Sequence, residues 1–495
     1  MIEQRSMPKP WRQACLLMCV LCIGCLVVAQ TVSPGPGTSV PVAGSAGPFS
    51  VPTLDNSQNP YLGATPVGQP TSEVIDLSLA DALDHALQYN LGLLLSEQGS
   101  ARVRAARARA LSDLLPQVNA HITEAAQQTN LLALGTPPAF FNGVSPIVGP
   151  FYVLDARPTV TQELSLKSLR TFRAAQENFA SSQFDVRNAR DLVVLFVGGG
   201  YIQALADQSR VAAIQAQLTT AQSLYQQAVD MKAAGVIAAI DVLRSQVEMQ
   251  VQQQRLVAAK NEFEKAKLAL ARAIGLPVSQ AFRLSTEAPY RPNPAITLEE
   301  ALERAFCSRP DYMSLLALQK AAEQSRRSAT AEQLPSIQLS ADYGILGLNL
   351  SPSHGTFSTA ASLQIPIFPG GKIGADIAAA EAVLKQRQAQ AQDMHARVEY
   401  EVRASFLDLT SATEQVEVAR SSVQLAADTL QQARDRFAAG VTNNIEVIQA
   451  QESRALADEN YIDSLLAHNL AKLSLARSLG GAEVAVKQYL GGGTP

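Results

Sequence analysis

Residues 77–90 read LSLADALDHALQYN, and residues 296–309 read ITLEEALERAFCSR. The two stretches align at a constant shift of 219 residues, without a gap, as far as Leu115-Pro116 against Leu334-Pro335. Further along, AAGVIAAIDVLRSQ from Ala233 matches AAGVTNNIEVIQAQ from Ala438 at a shift of 205, and LALARAIG from Leu268 matches LSLARSLG from Leu473. Self-similarity at this period marks one unit written twice. The first structural repeat covers 77–288, a linker 289–295 and the second repeat 296–481, leaving a tail over 482–495. The shift shrinks because the segment after Pro116 is longer in the first copy than its counterpart after Pro335.

Each copy carries the same order of elements. A helix is expected from Ala80 to Leu114, and from Leu298 to Leu334, with Ser78 and Asp81 forming the first cap. A proline ends each one. Two alternating stretches follow: QVNAHITEAAQQT and FYVLDARPTVTQELS in copy one, SIQLSADYGILGLNL and TFSTAASLQIPI in copy two. Period-two alternation at hairpin spacing predicts strands. A very long helix comes next, from Ser168 to Ala234 and from Gly374 to Ala439. After a glycine turn, a shorter helix runs to Ile274 or Leu479. The fold class is therefore mainly α with a small β part.

Apolar positions in the long helices fall 3 and 4 apart: Val211, Ile214, Leu218, Ala221, Tyr225 and Ala228, then Val416, Ala419, Val423, Ala426, Leu430, Ala433 and Phe437. That 3.5-residue period predicts coiled-coil packing. At ~1.5 Å per residue these rods reach about 100 Å, and the two shorter helices of a copy, stacked end to end, match that length. The run VGGGY at 197–201 sits inside the first long helix at about 1 kcal/mol per glycine relative to Ala. A kink or a very close helix contact would account for it.

The charge balance, 40 basic against 44 acidic residues, leaves no basic stripe for nucleic acid. Arg5, Lys9 and Arg12 precede an apolar run from Cys15 to Val28, and Val27 and Ala29 supply small residues before a cleavage site. Residues 1–29 are thus expected to be a signal peptide, with lipidation at Cys25 as the second possibility. A Pro/Gly/Ser-rich leader follows over 30–76. Four of the five cysteines fall in the signal segment, so Cys307 would stand alone in the mature chain. No later stretch reads as a run of ~18 apolar residues, so a membrane span would have to use strands. Four strands are fewer than the ~8 of the smallest barrels, and an open sheet edge is not tolerated in lipid. A span therefore requires several copies to share one barrel.

The order of these elements over residues 77–481 resembles that of the TolC-like outer membrane factors. LSLADAL and ITLEEAL resemble the family's repeat openings, and LLPQV and QLPSI its helix-to-strand junctions. LQIPIFPGGK resembles its strand exit, and the AAGV segments resemble its helical hairpin tips. The resemblance implies a homotrimer whose copies each give four strands to a shared transmembrane β-barrel in outer membrane lipid. A helical tunnel would extend through the periplasm. Its tips, at Gly235, Val236, Gly440 and Val441, would meet a periplasmic adaptor (membrane fusion) protein coupled to an inner-membrane transporter. The chain would be the exit duct of an efflux or type I secretion system, with no catalysis and no cofactor. The family's acidic constriction falls on Glu446. Its next acid falls on Gln449, and an aromatic that holds the tip closed falls on Phe437. Asp241 is the first-copy counterpart of Glu446. Both acids also sit at helix starts, where the helix dipole favours a solvated carboxylate.

His85, His121, His354, His395 and His468 lack metal-ligand spacing, and FPGGKI fails the phosphate-loop pattern because Pro366 stands where a glycine is required. A periplasmic coiled-coil scaffold without a span, and an adaptor with a single helical hairpin, are the two alternatives. On the family resemblance the longer first loop, with Phe140 and Phe141 near its tip, would face outside the cell.

Overall fold

The structure is a computed structural model that describes residues 59–141, 143–285, 296–348, 353–442 and 444–489. The 1–29 segment with Cys25, and the 289–295 linker, lie outside the described residues. In the first repeat the order is β1 (Ile75–Leu77), α1 (Leu79–Tyr89), α2 (Leu91–Ser112), β2 (Gln117–Asn130), β3 (Ile147–Leu164), α3 (Leu166–Ala233), α4 (Ala239–Ile274) and β4 (Phe282–Leu284). The second gives α5 (Leu298–Ser308), α6 (Pro310–Ala331), β5 (Ser336–Gly347), β6 (His354–Gln364), α7 (Lys372–Ala438) and α8 (Asn444–Ser478). A last helix, α9 (Ala482–Tyr489), occupies the start of the segment read as a tail.

The opening helices start as expected. Ser78 with Asp81, and Thr297 with Glu300, form reciprocal capping boxes. Neither helix then runs unbroken to its proline. Asn90 (φ −65°, ψ 130°) and Arg309 (φ −64°, ψ 116°) are extended. In the second repeat the cause is Pro310, which bars its predecessor from the α region and starts α6 at its first position. In the first repeat Asn90 breaks the helix with its own amide. Its Oδ1 accepts from the Gly92 N–H at 3.0 Å, and its Nδ2 donates to Tyr61 O at 2.7 Å.

From Asn59 onward the leader packs against the first repeat. Leu62 is buried, the Tyr61 ring stacks on Phe196 at 5.8 Å, and Thr71 N–H donates to Gln280 at 2.7 Å. A Cβ at Gly92 would lie 2.4 Å from the Tyr61 ring, so that glycine makes room for the leader. β1 pairs with β4 in parallel, Ile75 opposite Phe282 and Leu77 opposite Leu284.

α3 and α7 contain 68 and 67 residues, about 100 Å each at ~1.5 Å per residue. α2 and α4 both pack on α3, and α6 and α8 both pack on α7. Contacts of α3 with α6 and α8 join the repeats. Ala221, Ala228, Val416, Ala433 and Phe437 of the apolar stripes are buried, while Leu224 replaces the half-buried Tyr225. The glycine run does not interrupt α3. A Cβ on Gly198 would lie 3.2 Å from Leu473, and one on Gly199 3.6 Å from Leu470, so the run is a close crossing of α3 by α8. α3 also holds an 18-residue window of mean hydropathy 1.3, which the sequence reading missed because glycines dilute it. With 67% of that window buried, its apolar character serves the core.

The main core gathers where the repeats meet. Leu79, Leu83, Val193, Val197, Tyr201, Ile274, Leu473 and Val486 share one cluster, and Tyr201 Oη donates to Leu77 O at 2.9 Å. Asp191 accepts the Ala482 N–H at 2.9 Å and so caps α9, although burial pushes its carboxyl pKa up. Beside it lies a buried ionic network. Arg309, 2% exposed, reaches Asp311 at 2.7 Å, and Arg477 reaches the same carboxylate at 3.2 Å. Arg309 Nη1 also lies 2.7 Å from Glu401 without hydrogen-bond alignment. Burial opposes ionisation of Asp311, but its bond from Arg309 and the charge of Arg477 outweigh it and hold the carboxyl at about 2.

β2, β3, β5 and β6 form one antiparallel sheet in that order, so β2 and β6 are its edges. The register sets Thr123 opposite Asp155, Val160 opposite Ala341 and Tyr343 opposite Phe357.

Candidate functional site

Two features can carry function, the sheet and the paired helical tips. Alternation along the four strands sorts their side chains onto two unlike faces. One carries Val118, Ile122, Tyr152, Val160, Ile337, Leu339, Tyr343, Phe357 and Leu363, with Glu124 on edge strand β2 as its single charged residue. These apolar side chains are bare: Ile122 is 76% exposed and Phe357 72%. An apolar surface of that extent needs an apolar environment.

The opposite face is polar. It carries Asn119, His121, Asp155, Arg157, Thr159, Ser340, Asp342 and Ser358. Arg157 bonds both oxygens of Asp155, and its Nη1 donates to Asp342 across the β3–β5 pair at 3.0 Å. It lies over Gly344, where a Cβ would come 2.6 Å from Arg157 Cγ and 2.2 Å from Ala156 O. This clamp joins a first-repeat strand to a second-repeat strand. Nothing in the periodicity announced it, although an isolated strand glycine signals close approach.

At the far end of the long helices, Gly235 (φ 74°) and Gly440 (φ 71°) turn the chain through the left-handed region. Val236 and Val441 project beside them, 59% and 70% exposed. Phe437 is buried among Leu224, Ala433, Val447 and Ala450. Glu446 is not a bare acid. Its Oε1 accepts from Arg436 Nη1 at 2.8 Å, and its Oε2 accepts from the Thr442 hydroxyl. Gln449 is exposed on the following turn. Asp241, its side chain 17% exposed, pairs with Arg244 at 3.2 Å. Its carbonyl accepts from Asn444 Nδ2 at 3.1 Å, and that same amide donates to Ser245 at 2.5 Å, tying the two tips together.

The structure therefore places Glu446 and Phe437 in one tip and brings Asp241 to it through the backbone. Arg436 and Asn444 were missed by sequence reasoning. The repeat comparison could have flagged both, because their first-copy counterparts are Met231 and Ala239.

Comparison with known proteins bears on both features. A family model described as outer membrane efflux protein matches residues 301–481. The outer membrane protein OprJ of Pseudomonas aeruginosa is 25% identical over 429 residues, which is 83% of this chain and 85% of that protein. Over most of its length the chain is similar to outer membrane efflux proteins. The probable efflux pump outer membrane protein TtgC of Pseudomonas putida is 26% identical over 325 residues, covering 62% of this chain and 64% of that relative's length. The solved outer membrane protein VceC from Vibrio cholerae superposes with a TM-score of 0.71 at 17% identity, over 81% of this chain and 96% of that chain. That likeness concerns the fold. Its relatives are named outer membrane proteins, and the two-faced sheet is the part of this chain suited to lipid.

Proposed function

We propose that the protein is the outer-membrane exit duct of a tripartite efflux or type I secretion assembly. The observation that carries this reading is the four-stranded sheet with one bare apolar face, one polar face and two unpaired edges. Lipid accepts the first face, water the second, and only other copies of the sheet can satisfy the edges. Three copies give twelve strands. With ~4.8 Å between strands and a tilt near ~40°, such a barrel has a Cα radius of about 12 Å, wide enough for a lumen. The polar face lines it.

The helices below continue the lumen through the periplasm and converge at the tips. There three Glu446 side chains form the constriction, each steadied by Arg436, with Phe437 packed behind and Asp241 in the neighbouring hairpin. Gly235, Val236, Gly440 and Val441 form the exposed surface that a periplasmic adaptor joined to an inner-membrane transporter would meet.

Single-channel conductance of the detergent-purified protein in a planar bilayer tests this. Small cation-selective steps are expected, and Glu446→Ala should enlarge them or weaken their selectivity. A folded, oligomeric protein that inserts but never conducts, or one that salt alone strips from membranes, would overturn the duct.

A further inference from the structure

Between β6 and α7 the second repeat carries a segment that the first lacks. Residues 365–371, IPIFPGG, separate that strand from its helix, whereas Ser165 alone separates β3 from α3. Ile367 and Phe368 at its centre are 93% and 88% exposed, the barest large apolar side chains among the described residues. Pro366 and Pro369 fix the backbone on either side of them, so little chain freedom remains to be lost when the pair is covered. Apolar surface held bare in this way marks a contact.

Its place in the fold says what covers it. β6 is an edge of the sheet, and α7 is the outer helix on the same side. The helices pack in the order α2, α3, α6, α7 near the sheet and α4, α3, α8, α7 toward the tips. The opposite side consists of β2, α2 and α4. Where α2 passes into β2 it bares a second apolar corner, Leu111 and Leu115, the latter 52% exposed. Both patches thus lie at the junction of helices and sheet, on opposite sides of one chain. Lipid does not account for the outer side as a whole. Along α7, Tyr400, Leu407, Val418 and Leu425 are exposed at intervals of 7, 11 and 7 residues, the spacing of a coiled-coil seam. Leu425 lies about 80 Å from the start of α7 at ~1.5 Å per residue, far beyond a hydrocarbon layer of ~30 Å. On the opposite side α4 bares Leu243, Val247, Val257 and Leu268 at intervals of 4, 10 and 11, which fit the same repeat.

We propose that Ile367 and Phe368 of one copy seat against Leu111 and Leu115 of the next, latching the copies at the junction of sheet and helices. The two patches share one chemistry, and head-to-tail repetition brings the β6–α7 side of a copy against the α2–β2 side of its neighbour. The latch rests on the reading that several copies share one barrel. To the strand edges it adds an apolar contact that the second repeat alone supplies.

Cross-linking in a Cys307→Ser background, which removes the exposed native thiol, tests the latch. One chain carries Leu115→Cys with Phe368→Cys, and a second pair is Leu111→Cys with Ile367→Cys. Oxidation in native membranes, followed by denaturing non-reducing gels, should give covalent oligomers from the pairs and monomer from each single cysteine. Phe368→Ser should raise several-fold the fraction of monomer on native gels, with circular dichroism matching wild type to establish that the variant is folded. Native mass spectrometry of the wild type separates the latch from the duct. An oligomeric wild type whose cysteine pairs both fail to join copies, or close only within one chain, overturns the latch and leaves the duct standing. So does an unchanged monomer fraction in a folded Phe368→Ser variant. A monomeric wild type overturns both readings. Quenching by brominated lipid of a fluorophore on Phe368→Cys would assign the segment to the membrane and overturn the latch.

Discussion

Exchanging Asp311 for Asn removes one negative charge from the most buried ionic cluster while nearly preserving its shape. The carboxylate lies 2.7 Å from Arg309 and 3.2 Å from Arg477. Holding it at about 2 against an ordinary value of 3.8 is worth about 2.4 kcal/mol at ~1.36 kcal/mol per pK unit. Leaving Arg309 and Arg477 less compensated raises the cost toward the roughly 3–5 kcal/mol of a broken buried pair. For a chain of 495 residues, at about 2.1 cal/mol/K per residue, this lowers the melting temperature by about 2–5 °C at pH 7. The folded-state pKa is depressed, so the stabilisation is complete above about 3.8 and disappears as the pH falls through about 2. Far-UV circular dichroism melts of wild type and Asp311→Asn in the same detergent, from pH 7 to pH 2, should show two midpoints that converge in acid. Equal midpoints at pH 7, or a gap that persists unchanged at pH 2, would refute the reasoning.

Gly344→Val places its Cβ 2.2 Å from Ala156 O, so it should prevent β3–β5 pairing and abolish the proposed oligomer on native gels, whereas Gly355→Ala meets open space and should leave it intact. Gly198→Ala should be near neutral in a thermal melt, because the ~1 kcal/mol helix gain offsets a 3.2 Å contact with the mobile end of Leu473. Gly198→Leu should cost about 1–3 kcal/mol of overpacking, and Leu473→Ala should restore part of it. At the tip, Arg436→Ala uncovers Glu446 and should increase cation selectivity in reversal-potential measurements, the opposite of Glu446→Ala. Movement of both variants in the same direction would remove Glu446 from the permeation path.

The duplication, the long rods and the four strands were legible because each rests on a period that repeats over many residues. Short-range geometry was not. The breaks at Asn90 and Arg309 depend on single residues, and only Pro310 among them signals its effect by type. β1 and β4 span three residues each, too few for alternation to register, and they pair across more than 200 positions of sequence. At the tip, the family resemblance pointed to Glu446 and Phe437 but did not show what differs between the copies. The pairing of Arg436 with Glu446, and the reach of Asn444 to Asp241, depend on side-chain trajectories at a turn that no periodicity encodes.

The clamp of Arg157 on Asp342 has a consequence for assembly. It fastens the hairpin of one repeat to that of the other inside a single polypeptide, so that one of every two hairpin junctions around a closed ring is intramolecular. A ring built from unfused units would have to find every junction by diffusion, at the cost of lost translational and rotational freedom each time. Fusion halves those encounters. In the proposed barrel the joints that remain would be between unlike edges, β2 of one copy meeting β6 of the next, and such head-to-tail joints close only at the copy number that sheet curvature allows. Gene fusion and a single salt-linked seam would thus have turned a six-body assembly problem into a three-body one.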